Sequence, residues 1–135
     1  MLVDLHTHTA PKSYDALQTP EELILEAKGL GLDVLCLTEH DAFWNPLDLR
    51  KLSRRHGLLL LPGCEVNTDI GHFLAFGLEE YVFGMHKPPF LRHWVDKAGG
   101  VLVAAHPYRR RGIAGTSTRD LQLRVTQAIQ EDSFK

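Results

Sequence analysis

Short apolar runs alternate along the chain with stretches of helical spacing, and polar residues close most of the runs. Met1 to Leu5 reads as a first strand. A polar loop follows, and Thr19-Pro20-Glu21-Glu22 then has the form of a capping box with proline at the first helical position. Leu23, Ala27 and Leu30 keep helical spacing, and Gly31 supplies a stop. Asp33 to Leu37 has the length of a buried strand, Pro46 to Arg55 that of a second helix ending near His56-Gly57, and Leu58 to Leu61 resumes the strand pattern. Beyond Pro62 the rhythm changes. Cys64 to Thr68 and His72 to Gly77 read as extended pieces joined by a turn at Asp69-Ile70-Gly71. A helix over Pro89 to Ala98 stacks Phe90 on Trp94 and Leu91 on Val95, and Val101 to Ala105 is a further buried strand. A last helix is expected from Ser117 to Gln130, with Leu121, Val125 and Ala128 on one face. This alternation predicts an α/β fold, either a parallel sheet or part of a barrel.

The chemistry-bearing residues fall at the ends of the expected strands. Asp4-Leu5-His6-Thr7-His8 closes the first, Thr38-Glu39-His40-Asp41 the second, Gly63-Cys64-Glu65 the third and Ala105-His106-Pro107 the last. In folds of this class ligand sites lie at the carboxyl ends of the strands, so these clusters are expected to converge. His6 and His8, two apart in an extended segment, point to one side and suit a shared ion. His72 opens an extended piece that folds back beside Glu65. From spacing alone, Asp15 fits a loop turn as well as a ligand.

Composition narrows the picture without deciding it. With 44% hydrophobic and 24% charged residues in 135, the chain reads as one ordinary soluble domain. No apolar run approaches the roughly 20 residues of a membrane span, and no signal segment opens the chain, so a cytoplasmic location is the default expectation. Cys36 and Cys64 form no paired motif and read as buried thiols. Residues 1–48 carry two Lys/Arg against nine Asp/Glu, whereas residues 49–135 carry thirteen against eight. An acidic front and a basic back suit a site that holds cations and receives an anion, and they equally suit an ordinary solvated surface.

Several residues have plainer readings. His56 is expected at a helix C-terminus, where its charge complements the dipole, His86 in a loop, and His93 on a solvent face. Cys64 should face away from Glu65, its strand neighbour. Phe43 and Trp44 suit packing against the adjacent helix, with a stacking surface as the alternative. Arg109, Arg110 and Arg111 follow His106-Pro107-Tyr108 and are candidates for contacting a phosphorylated substrate, with a solvated loop as the other reading.

Taken together the motifs resemble those of the PHP family, the polymerase and histidinol phosphatase superfamily of metal-dependent phosphoesterases. The resemblance rests on D-L-H-T-H-T at Asp4 to Thr9, S-x-D at Ser13 to Asp15, T-P-E-E-L at Thr19 to Leu23, and G-L-D-x-L-x-L-T-x-H-D at Gly31 to Asp41. It continues through P-G-x-E-V at Pro62 to Val66, G-H-x-L-A-F-G at Gly71 to Gly77 and A-H-P at Ala105 to Pro107. It implies a distorted barrel of seven β/α units with up to three divalent ions, zinc, manganese or iron, at its carboxyl-end face. By resemblance His6, His8 and Glu65 hold a first ion, Asp15 and His40 a second, and Glu65, His72 and His106 a third, with Glu65 bridging. Glu39 stands where the family more often has aspartate, a change expected to touch packing behind the ligands rather than ligation. No histidine follows His106, so the family's final Asp-x-His element is missing. Residues 1–135 therefore read as the front portion of a PHP domain, a partial distorted barrel with about four β/α units whose C-terminal part is absent. Its open edge and core invite self-association.

The leading expectation is hydrolysis of a phosphate ester by a metal-bound hydroxide, with Asp41 or His106 assisting proton transfer. A net charge of −2 argues against a broad nucleic-acid surface and favours a small phosphorylated metabolite or a nucleotide. The alternatives are a truncated or degenerate metal-binding regulatory module without turnover, and a metal-dependent amidohydrolase, which also uses a His-x-His strand end.

Overall fold

The computed structural model describes residues 1–107 and Arg109. The expected final helix, Ser117 to Gln130, lies outside them, as do Arg110 and Arg111. The elements run β1 (Val3–Thr7), α1 (Pro20–Gly29), β2 (Val34–His40), α2 (Pro46–His56), β3 (Leu59–Thr68), β4 (Gly71–Phe76), α3 (Pro88–Lys97) and β5 (Val101–Ala104). The strands form a curled five-stranded half-barrel sheet in the order β1-β2-β3-β4-β5. β1, β2 and β3 pair in parallel, whereas β4 is antiparallel to both β3 and β5. β5 consequently runs in the direction of β3, and four strands end at one edge of the sheet. The reversed strand β4 brings its first residues to that same edge.

Local chemistry sets the helix ends. The Thr19 side chain accepts from Glu22 N–H while the Glu22 side chain accepts from Thr19 N–H, closing the capping box. Asn45 caps α2 through Leu47 and Asp48 N–H, and Gly57 ends it in the left-handed conformation (φ 63°) that glycine adopts without steric cost. Helices cover the convex face. Ile24 and Ala27 of α1 and Leu49 of α2 pack with Leu35, Leu37 and Leu60 of the sheet, and Leu91 and Val95 of α3 pack with Cys64, Val66, Phe73 and Ala75. Each fully buried Ile or Leu contributes about 1.5–3 kcal/mol relative to exposure.

The period of two along each strand sends the alternate residues to the concave face. Leu59, Leu61, Val101 and Val103 remain 52%, 41%, 58% and 37% exposed there, because the described residues place no layer over them. Two expectations need correction. Leu58 to Leu61 and Cys64 to Thr68 are one strand, since Pro62 lies one residue before pairing with β4 begins at Gly63, a position where proline removes no ladder bond to that neighbour. β2 also extends beyond Leu37, so Thr38, Glu39 and His40 belong to the strand itself, in register with Gly63, Cys64 and Glu65.

Candidate metal centre

The site begins with Glu65, a carboxylate 2% exposed near the carboxyl end of β3. Alternation turns it to the concave side while Cys64 faces the α3 core. Four imidazoles converge on it. His6 Nε2 and His8 Nε2 each lie 2.8 Å from Oε2, and His72 Nδ1 and His106 Nε2 each lie 2.8 Å from Oε1. His40, beside Glu65 in the β2–β3 register, places Nε2 3.1 Å from Asp15 Oδ2 and 3.7 Å from Glu65 Oε2. The structure thus brings His6, His8, Asp15, His40, Glu65, His72 and His106 into one cluster from six segments of the chain.

Backbone geometry serves this convergence. An irregularity in the β1–β2 register between Asp4 and Thr7 precedes the turn that places His8. Asp41 and His106 adopt positive φ of 49° and 33°, a conformation non-glycine residues seldom take and one that concentrates at functional sites. For His106 this turn carries the ring back over the strand ends. Asp41 is otherwise engaged: its Oδ1 accepts from Asn67 N–H at 2.9 Å and its Oδ2 from Asn67 Nδ2 at 2.7 Å, tying β2 to β3. Arg109 is exposed, and its backbone N–H donates to His106 O at 2.9 Å.

Electrostatics within the cluster oppose one another. Desolvation alone would raise the Glu65 carboxyl, but hydrogen bonds from His6, His8, His106 and His72 overcome it and hold it far below the ordinary carboxylate range. The hydrogen bond to Glu65 raises His8 above its ordinary value against the desolvation that lowers it. For His72 desolvation is the larger effect, and its net shift is downward. Burial would raise Asp15 too, yet the hydrogen bond with His40 leaves it lowered.

This donor set fits divalent ions. Three groupings, His6-His8-Glu65, His8-Asp15-His40 and His40-Glu65-His72, each place three ligand atoms within 4.8 Å of one another. Imidazole nitrogen with carboxylate oxygen is the ligand chemistry of zinc, manganese and iron. The ring nitrogens of His6 and His8 face each other at 3.2 Å, the proximity two donors take around a common cation.

A layer of buried polar groups centred on Glu39 lies behind the candidate ligands. Glu39, fully buried, accepts from Thr9 N–H at 3.0 Å, Thr9 Oγ1, Ser13 Oγ at 2.5 Å and Trp44 Nε1 at 2.8 Å. Ser13 Oγ also lies 3.3 Å from His8 Nδ1 and accepts from His40 N–H at 3.3 Å. Ser13 in the S-x-D element was the available signal, and Trp44 packs on the α2 core while reaching this carboxylate.

The PHP domain model matches residues 4–123 of the chain, which covers every residue of the cluster. The chain belongs to the PHP domain family. PHP domains bind divalent metals, and theirs is a metal-dependent hydrolase-type fold. An uncharacterized protein of Methanocaldococcus jannaschii is 26% identical over 117 residues, covering 80% of this chain and 68% of that protein. An error-prone DNA polymerase of Nocardia farcinica is 33% identical over 67 residues, 50% of this chain and 6% of the polymerase. A PolC-type DNA polymerase III of Oceanobacillus iheyensis is 34% identical over 75 residues, 55% of this chain and 5% of the polymerase. This PHP domain therefore matches only a small part of those polymerases. Among the described residues, no helix is long and apolar enough to cross a membrane.

Proposed function

We propose that this PHP domain hydrolyses a phosphate ester of a small metabolite or nucleotide at the Glu65 cluster. The observation that carries the reading is the convergence of four imidazoles on one buried carboxylate. Divalent ions held there would supply Lewis-acid stabilisation of phosphoryl oxygens and lower the pKa of water toward about 7. The residues of the chain do the rest. Glu65 presents both oxygens among the histidines and would be a ligand shared by two of the groupings. His6, His8, His72 and His106 surround it, and Asp15 with His40 forms the more open flank. Proton transfer to the leaving oxygen falls to His106, 31% exposed at the rim, rather than to Asp41, whose two oxygens are taken by Asn67. By their position in the sequence just after His106, Arg109, Arg110 and Arg111 are the residues we assign to contact the phosphoryl group, which the planar guanidinium binds through paired N–H donors.

The test is turnover of a generic aryl phosphate by protein loaded with zinc, manganese or iron. Activity is expected to vanish with chelator and in His8→Ala. The other reading is a metal-binding module without turnover. Stoichiometric metal uptake without hydrolysis of any ester selects that reading. The exposed leucines and valines of the concave face support self-association, read by light scattering across concentrations.

A further inference from the structure

We infer that Ser13, backed by Glu39, fixes which nitrogen of His8 carries the proton, holding it on Nδ1 so that Nε2 presents its lone pair to the ion cluster. The inference rests on the metal-binding reading and concerns hydrogen bonds that the ligand pattern leaves undefined. Four donors reach the two Glu39 oxygens, two apiece: Thr9 Oγ1 and Trp44 Nε1 on Oε1, Thr9 N–H and Ser13 Oγ on Oε2. That fills the roughly four acceptor positions of a carboxylate and leaves no oxygen free to donate. A hydroxyl has one proton, and Ser13 spends it on Glu39 Oε2 at 2.5 Å. Toward His40 N–H, at 3.3 Å, Ser13 accepts. Toward His8 Nδ1, also at 3.3 Å, it has only a lone pair left, so the ring must donate. His8 Nε2 is then the nitrogen turned toward the cluster: in the metal-free chain it donates to Glu65 Oε2 at 2.8 Å, and once that proton is released it offers its lone pair to an ion.

Burial makes the arrangement costly to reverse. Ser13, Thr9 and Glu39 are 2%, 0% and 0% exposed, so no water substitutes readily for a lost partner. Ser13 and Glu39 lie behind His8 and are positioning residues acting through it. A histidine ligand whose second nitrogen is held this way keeps both its tautomer and its ring angle.

The experiment uses the full chain with 15N-labelled histidine, read by long-range 1H–15N correlation with and without zinc, and zinc affinity read by calorimetry. In the zinc-loaded protein the His8 ring is expected to show a proton on Nδ1 and metal on Nε2. Ser13→Ala is expected to lose that proton's protection from exchange and to weaken zinc binding roughly 10–100-fold, with recovery in Ser13→Thr. Glu39→Gln should act in the same direction, because an amide on Glu39's site offers a donor where only acceptors fit. Zinc bound through Nδ1, or Ser13→Ala binding as tightly as the parent, overturns the inference and leaves the metal centre standing. A parent chain that takes up no zinc refutes the metal reading instead. In that case the protected Nδ1 proton in the metal-free chain, and its loss in Ser13→Ala, still decides the Ser13 contact.

Discussion

Glu65 and His106 stand 41 residues apart in the chain and meet at 2.8 Å, Oε1 against Nε2, across the carboxyl-end edge of the sheet. The contact spans β3, β4 and β5, so the registers of two antiparallel pairings set it. One carboxylate holds together histidines that arrive from four different segments.

Removing that hub should be felt in metal binding before it is felt in folding. Glu65→Gln keeps the volume and loses the charge, and zinc affinity is expected to fall by more than roughly 100-fold, beyond the range for residues behind a ligand. Calorimetric titration against the parent reads the loss, and an unchanged affinity would remove Glu65 from the bridging role.

The metal-free chain should lose stability as pH rises above neutrality. His8 is raised in the folded state, chiefly by its hydrogen bond to Glu65, so it adds stability below its unfolded value of about 6.5 and that contribution disappears as pH climbs through the raised folded value. His72, lowered chiefly by desolvation, acts in the opposite sense: it favours the neutral ring, so stability is gained as pH rises past its folded value. Glu65, lowered below the usual carboxylate range of about 4, contributes across this whole interval and loses its share only in strong acid. Thermal melts from roughly pH 5.5 to 8.5 are expected to flatten in His8→Gln and to steepen their decline in His72→Gln.

Metal uptake should show the reverse dependence. His8 must surrender a proton that Glu65 helps it keep, so zinc binds more tightly near pH 8 than near pH 5, with proton release. Equal affinity at the two values would count against these ligands.

Gly100 allows β5 to sit where it does. A Cβ there would lie 2.1 Å from Phe76 O and 3.3 Å from Val95 Cγ1, the first a clash with backbone. Gly100→Ala is expected to cost about 1–3 kcal/mol in urea unfolding and, by displacing β5, to weaken the His106 contact.

The thiols should be silent in the native protein. Burial pushes Cys64 up to about 12, and Cys36 is raised by the same cause. An aromatic disulfide reagent is expected to label neither until denaturant is added, when both react.

Much of the centre was legible in the linear order of residues because strand ends are local features. His6 and His8 follow an apolar run directly, His40 and Glu65 do the same, and the alternation of strands with helices predicts that such ends share an edge. The capping residues Thr19 and Asn45 act within one helical turn, so their neighbours along the chain suffice to read them. Other features depended on pairing. Whether Pro62 ends a strand is decided by where β4 stops, Phe76 pairing with Gly63, and whether His72 reaches Glu65 is decided by β4 running antiparallel. The burial of Glu39 and its grip on Thr9, Ser13 and Trp44 arise from the packing of three segments on one carboxylate, which spacing along the chain does not encode. Residue order determined which donors lie at strand ends, since backbone periodicity is a short-range property. Only the tertiary structure decided which of them meet, because distances across a curled sheet depend on register and strand direction.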